Sequence, residues 1–179
     1  MTMTATITQP IIETERFDLR PLRKSDAGLI TLYWSDRRVA LMTTSIPHPL
    51  PPGTADAFVE RATREPRNDD VWAIDGTKTG GSELMGLISL ERMDRSQSEV
   101  GYWVAPAFWN TGLASEAVQA LVEANPLKNK AMFASVFQDN EASARVLTHC
   151  GFHYLGDAES FCVARDATVL TWTYSRNLC

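Results

Sequence analysis

The sequence predicts a protein of the α/β class, in its α+β form, with a central mixed and mostly antiparallel sheet of six to seven strands flanked by about four helices. In several short segments apolar residues alternate with polar ones, which is the spacing of strands, and in longer segments they recur at helical spacing. The two kinds of segment are interleaved along all 179 residues, without an internal repeat or a linker. We expect residues 1–12 to form a flexible tail and residues 13–179 to form a single domain.

The first part of the chain is expected to form one strand followed by helices. Phe17 and Leu19 alternate with charged neighbours, which predicts a half-buried strand ended by Pro21. Ser25 or Asp26 can cap the first helix. Further helical segments are predicted at residues 39–42 and 54–65, on either side of a proline-rich loop at residues 47–53. The basic residues of this region are expected on a solvated face of the strand: Arg16, Arg20, Arg23 and Lys24.

The remaining segments follow the same two spacings. An amphipathic helix is predicted before Pro126, at residues 113–124. A last helix begins at Asp139 or Asn140 and ends at Gly151, because glycine suits the position that follows a helix C-terminus. Strands are predicted at residues 71–75, 84–90, 99–104 and 132–137, and a closing hairpin at residues 152–164 and 169–174.

Composition and charge exclude several classes of protein. The chain has 17 Lys and Arg against 22 Asp and Glu, a net charge of −5, and no basic run that would bind nucleic acid. No apolar run approaches the ~18 residues that span a bilayer, and residues 1–10 do not resemble a signal peptide. Three cysteines without a C-x-x-C pair indicate a reducing, cytoplasmic setting. The spacing of His, Asp and Glu predicts no metal site.

The segment most informative about chemistry is the strand, turn and helix start at residues 99–117. The turn contains Gly112, and the backbone N–H groups of residues 110–114 have no partners within the helix. With the positive end of the helix dipole behind them, they suit an anion such as a pyrophosphate. A glycine at a helix start is also common as plain turn chemistry. No lysine accompanies the turn as in a P-loop, which disfavours a nucleotide-binding module.

Three motifs along the chain stand in the order found in one known family. Residues 109–114 match the acetyl-CoA-binding pattern Gln/Arg-x-x-Gly-x-Gly/Ala at Gly112 and Ala114, and depart from it at Trp109 and Asn110, where Gln or Arg and a second Gly are common. Residues 14–22 match a first strand, and residues 140–152 match a helix followed by Gly-Phe. Together these motifs, across about residues 13–175, resemble the GNAT superfamily of acyl-CoA N-acyltransferases, and within it the RimJ/RimL-like ribosomal-protein N-terminal acetyltransferases.

The resemblance implies that acetyl-CoA is the co-substrate. The strand before the turn would offer backbone groups to the pantetheine arm, and the turn would hold the pyrophosphate. An Asn after the next strand would bond the pantetheine arm or an ordered water. The predicted cofactor-binding residues are Trp103, Val104, Ala105, Trp109, Asn110, Thr111, Gly112, Leu113, Ala114, Ser115, Asn140 and Ser143.

Two residues are predicted to be catalytic. Glu99 is the candidate general base, acting through water, because partial burial beside a cleft raises the pKa of a carboxylate. The alternative is a strand-edge Glu that is solvated or paired with an Arg. Many members of the family protonate the thiolate with a Tyr, and Leu147 occupies that position here. Ser143, four residues earlier, is therefore the candidate acid, with a local cap bond as its alternative role.

The function predicted on these grounds is N-acetylation of a primary amine by direct attack in a ternary complex. The acceptor would be a protein N-terminus or a small amine, held between residues 33–58 and 156–169, and the protein a monomer or a homodimer. The alternative is a catalytically degenerate GNAT domain that binds CoA as a sensor or scaffold.

Overall fold

The computed structural model describes residues 9–178, whose main feature is one sheet in the strand order β1-β2-β3-β4-β5-β6-β8-β7. Every neighbouring pair is antiparallel except β5 and β6, which run parallel. The strands are β1 (Ile12–Glu13), β2 (Asp18–Pro21), β3 (Asp69–Asp75), β4 (Gly86–Met93), β5 (Gln97–Val104), β6 (Ala131–Phe137), β7 (His153–Cys162) and β8 (Ala167–Asn177). The helices are α1 (Ala27–Trp34), α2 (Arg37–Ala40), α3 (Thr54–Thr63), α4 (Leu113–Ala124) and α5 (Glu141–His149).

The predicted mixed, mostly antiparallel sheet is confirmed, with eight strands in the described part of the chain in place of six to seven. The additional strand is the two-residue β1, which is too short to show a period in the sequence. The helical segment predicted at residues 39–42 is the one-turn α2, at Arg37–Ala40, and residues 9–178 contain five α-helices against the predicted four or so. The end of α5 is as predicted: Gly151 has a φ of +83°, and Phe152 donates its N–H to the Leu147 carbonyl at 3.0 Å.

Alternating side chains of the strands divide the core into two layers, one on each face of the sheet. Trp72 and Ile74 of β3 pack with α4 and α5 on one face. Val71 and Ala73 of the same strand pack with α1, α2 and α3 on the other. Within residues 9–178, no helix is long and apolar enough to cross a membrane.

The sheet divides between β5 and β6. The two strands pair at only three positions, from Gln97 opposite Ala131 to Glu99 opposite Phe133. Beyond Glu99, β5 continues along β4 while β6 continues along β8. The last five residues of β5 therefore have one backbone edge free, and a cleft opens there.

The predicted flexible tail, residues 1–12, extends too far at its C-terminal end. Ile12 pairs with Leu19 of β2, and the Trp72 indole donates a 2.8 Å hydrogen bond to the carbonyl of Pro10. Residues 9–12 are thus attached to the sheet by contacts distant in the sequence. Residues 1–8 of the predicted tail lie outside the described residues.

The prediction of a solvated basic face is wrong for Arg20. This guanidinium is 9% exposed, bonded to Asp75 at 2.7 Å and to both carboxylate oxygens of Asp26 at 2.9 Å. Alternation alone could not distinguish it from its exposed neighbour Arg23, because both partners come from other segments of the chain. The buried ions join β2 and β3 to the start of α1.

Candidate active site

A cavity of about 1250 Å³ occupies the cleft between β5 and β6 and extends over the face of the sheet that carries α1–α3. The regions predicted to hold the acceptor contribute Trp34 and Phe58 on one side and Ser160 on the other. Most of the predicted site residues also line it: Glu99, Trp103, Val104, Trp109, Asn110, Gly112, Leu113, Ala114, Ser115, Asn140 and Ser143.

The turn before α4 has the conformation that an anion site requires. Asn110 and Gly112 both have positive φ, +62° and +77°. Asn tolerates that region best after Gly, which explains why Asn110 can stand where a second Gly is common. The N–H groups of residues 110–115 have no acceptor within the described part of the chain. They are therefore available to an anion in the cavity.

Arg16 supports the turn from outside. Its guanidinium donates to the Thr111 carbonyl at 3.0 Å and pairs with Glu116 at 2.9 Å. Because Arg16 lies on the segment before β2, its position beside the turn depends on the tertiary fold. Its predicted place on a solvated strand face did not indicate this contact.

Two predicted cofactor-binding residues, Ala105 and Thr111, do not line the cavity. Ala105 is fully buried and donates its N–H to the Met85 carbonyl at 2.9 Å. The Thr111 hydroxyl turns to the Phe108 carbonyl at 2.6 Å. Both residues flank the site: the Ala105 N–H holds β5, and the Thr111 hydroxyl and carbonyl hold the turn, while the Thr111 N–H stays without an acceptor in residues 9–178.

The free edge of β5 follows from the bonding of Ala105. In an antiparallel pair the backbone groups of alternate residues point to the same side, so those of Tyr102 and Val104 point away from β4 and into the cleft. The Val104 carbonyl accepts a 2.7 Å bond from the Trp109 indole, which attaches the turn to the strand. At Gly86, a Cβ would overlap the Trp103 carbonyl, so only glycine lets β4 approach this part of β5.

Glu99 lies in a row of carboxylates across three strands. Asp69 of β3 is opposite Glu91 of β4, and Glu91 is opposite Glu99 of β5; all three line the cavity. Burial, and then the charge of Glu91, raises the pKa of Glu99. Among the described residues, no Arg or Lys forms an ion pair with Glu99, and the alternative of a solvated Glu stays open.

Ser143 and Asn140 lie together at the start of α5. The Asn140 side chain caps the helix by accepting the Ser143 N–H at 3.3 Å. The Ser143 hydroxyl makes no cap bond, contrary to its alternative role, and lies 2.7 Å from the hydroxyl of Tyr102. Leu147, which stands where many members of the resembled family have a Tyr, is fully buried in the core.

The hairpin of β7 and β8 closes one side of the cavity. Arg165 lies in the turn between β7 and β8, where it donates to the Leu41 carbonyl at 2.8 Å and pairs with Asp139 at 2.6 Å. Val163 donates its N–H to the Thr44 carbonyl at 3.0 Å. The loop after α2 is therefore fixed to the hairpin and to the residues just before α5.

Sequence reasoning missed Tyr102, Arg16, Gly86, Asp69 and Glu91. One signal was available: a tight turn after the predicted strand at residues 84–90 would place Glu91 near Glu99. The others depend on contacts between distant segments, which a single sequence does not show.

This geometry, a divided sheet with a free strand edge that leads to an open helix N-terminus, has the shape and the free donors that suit an extended, anionic ligand. A family model described as acetyltransferase (GNAT) domain matches residues 16–153. The chain belongs to this family and is an N-acetyltransferase, as its three motifs predicted.

The relatives and the solved structures match this chain over most of its length. The chain is 29% identical over 175 residues to the uncharacterized N-acetyltransferase YoaA of Bacillus subtilis (strain 168), covering 93% of this chain and 96% of YoaA. Among solved structures, the microcin C7 self-immunity acetyltransferase MccE, in complex with acetyl-CoA and AMP, superposes with a TM-score of 0.79 at 15% identity, covering 92% and 93% of the two chains. RimL, the ribosomal L7/L12 α-N-protein acetyltransferase, in complex with CoA, superposes with a TM-score of 0.79 at 16% identity, covering 94% and 98%.

Proposed function

We propose that the protein transfers the acetyl group of acetyl-CoA to a primary amine by direct attack, with both substrates in the cavity. The acceptor is a small amine or the N-terminus of a protein. The observation that carries the proposal is that the carboxylate row and the open helix N-terminus line one cavity. They lie at opposite ends of the free edge of β5.

The donor end is suited to CoA by chemistry present in the chain. The unpaired N–H groups of residues 110–115 suit the pyrophosphate, since they combine free donors with the positive end of α4. The free backbone groups of Tyr102 suit the amides of the pantetheine arm. The bound CoA and acetyl-CoA of RimL and MccE support the same substrate here.

The acceptor end is suited to a cation that must lose a proton. An amine is an ammonium ion at neutral pH, and the carboxylates of Asp69, Glu91 and Glu99 attract it. Glu99 acts as the general base through water, because its raised pKa brings it nearer to neutrality than an ordinary Glu. The neutral amine then attacks the thioester carbonyl.

At the leaving group, Ser143 donates a hydrogen bond to the thiolate. Ser143 lines the cavity at the start of α5, which is stabilised by the Asn140 cap. The acetyl carbonyl bonds to a free N–H of β5, which supports the oxyanion formed during attack.

The alternative function, a CoA-binding sensor without turnover, rests on the missing Tyr at Leu147 and on the departures at Trp109 and Asn110. Two measurements separate the functions. Saturating acetyl-CoA is expected to raise the melting temperature under both, by mass action. Release of CoA thiol on a panel of N-terminal peptides and small amines is expected only for the enzyme.

The outcomes of these measurements differ clearly. A melting temperature unchanged by acetyl-CoA would exclude both functions. A shift without thiol release on any amine would favour the sensor. Acetylated product, identified by mass spectrometry, would name the acceptor class.

A further inference from the structure

Within residues 9–178, Tyr102 is the phenol that hydrogen-bonds Ser143, and nothing in the sequence marked it. It belongs to the divided part of β5, on the face of the strand that it shares with Val100 and Val104 and that packs toward α4 and α5. Its ring is partly buried against this core, and the residue lines the cavity. Tyr102 therefore extends from the strand that offers the free backbone edge to the helix that carries Ser143.

The hydroxyl of Tyr102 has two hydrogen-bond partners among the described residues, both belonging to Ser143. It lies 2.7 Å from the serine Oγ and 3.2 Å from the serine carbonyl oxygen. The carbonyl can only accept, whereas each hydroxyl carries one proton and can also accept. The three atoms share two protons, and two arrangements place one of these protons in the short 2.7 Å contact between the two hydroxyls.

The two arrangements differ in what Ser143 offers to the cavity. In the first, Ser143 donates to the phenol, and the phenol donates to the carbonyl; neither proton is then available. In the second, the phenol donates to the serine Oγ at 2.7 Å, and the serine proton is free to point at a substrate. A negative charge forming in the cavity favours the second arrangement, because it attracts that proton.

We propose that Tyr102 is a positioning residue that turns the hydroxyl of Ser143 toward the sulfur of acetyl-CoA, so that the leaving thiolate receives a hydrogen bond. This role rests on the proposed function, in which Ser143 faces the leaving group. In the proposed function, only Ser143 of α5 stabilises the leaving thiolate. The inference adds Tyr102, a residue of β5, to this step.

The step balances without another reactant. When the tetrahedral adduct collapses, the carbon–sulfur bond breaks and its electron pair stays on sulfur. The thiolate accepts the hydrogen bond from Ser143, whose oxygen accepts one from Tyr102. Glu99 first releases the proton of the ammonium ion to solvent; the nitrogen of the adduct then passes one of its two protons through water to Glu99, and the thiolate gains a proton from solvent.

The environment of Tyr102 agrees with donation of a hydrogen bond rather than transfer of a proton. Burial raises its pKa above that of free tyrosine, despite the bond to Ser143, so the phenol keeps its proton. Leu147, one turn after Ser143, is fully buried and apolar and cannot substitute for it.

The first test combines Tyr102→Phe, which keeps the ring, with Ser143→Ala. We expect Tyr102→Phe to lower kcat about tenfold, the worth of one hydrogen bond, with little change in the affinity for CoA. In the Ser143→Ala background the same change is expected to have no further effect, since Tyr102 acts only through Ser143. Tyr154→Phe is the matched control, because the Tyr154 hydroxyl bonds Asp157 on the exposed β7.

A second test needs no acceptor. The thiol pKa of bound CoA, followed by the ultraviolet absorbance of the thiolate, is expected to rise in Tyr102→Phe and in Ser143→Ala, since each loses a donor to the thiolate. An unchanged thiol pKa in Tyr102→Phe, or an equal loss of kcat with and without Ser143, overturns the assignment. Failure of the wild-type protein to bind CoA overturns the proposed function as well. CoA binding without transfer to any amine overturns only the proposed function, because the thiol titration still decides the role of Tyr102.

Discussion

At the scale of single residues, Glu99 shows a conflict between stability and chemistry. A half-buried carboxylate beside Glu91 costs the folded state free energy once it is ionised. The same environment raises the pKa of Glu99, which suits a base that works near neutral pH. Replacing a residue of this kind stabilises the protein and lowers its activity at the same time.

We expect Glu99→Gln to lower kcat/KM at neutral pH by about 100-fold, the lower range for general base catalysis, and to raise the melting temperature. The folded pKa of Glu99 is raised, so wild-type stability falls as the pH rises through the window between its unfolded and folded pKa. The gain in the variant should therefore vanish below about pH 4, near the unfolded pKa. Calorimetry and a pH–rate profile measure both effects. A variant with the wild-type profile would remove Glu99 from the mechanism.

Gly112 gives the turn before α4 a backbone conformation with positive φ. The space around it is open, since the nearest atom to an added Cβ is Nη2 of Arg16 at 3.9 Å, but its φ of +77° strains any L-residue. We expect Gly112→Val to lower stability by at least about 1–2 kcal/mol and to weaken CoA binding by moving the free N–H groups. Gly112→Asn is the matched control, because Asn accepts positive φ at Asn110 nearby. Equal CoA affinity of the two variants, measured by titration calorimetry, would contradict this reason.

At the scale of elements, the buried ions of Arg20 join β2, β3 and the start of α1. We expect Arg20→Met to lower the free energy of unfolding by about 3–5 kcal/mol, because Asp26 and Asp75 would stay buried without their partner. Arg23→Met is the control, since its guanidinium is exposed and 3.7 Å from Asp75. Urea denaturation at neutral pH measures the difference. Similar losses in the two variants would show that the buried ions contribute little.

The elements also show how far the sequence alone could lead. The alternation around Phe17 and the helical spacing after Gly112 are local patterns, so strands and helices followed from them. The two-residue β1 could not follow, because its pairing with Leu19 is a tertiary contact. The same limit applies to the site: the motif placed Gly112 and Ser143, whereas the Tyr102 contact joins residues 41 positions apart.

At the scale of the whole molecule, two halves of the sheet meet at three residue pairs of β5 and β6. Arg165 and Val163 add contacts between the hairpin and the loop after α2. We expect acetyl-CoA to slow hydrogen exchange on both sides of the cleft, at residues 100–104 and at residues 134–143. Exchange measured by mass spectrometry with and without the ligand checks this. Protection confined to the turn at residues 109–115 would contradict a substrate that lies along the cleft.

The gap beside β5 also bears on how the enzyme tolerates change. Beyond their three paired residues, β5 and β6 do not hydrogen-bond to each other. A pantetheine arm lying between them would make backbone hydrogen bonds there in each catalytic cycle. Variants that loosen either half would then be rescued while the acyl donor is abundant and exposed when it is scarce. A bound donor would then add to the stability of such variants by mass action.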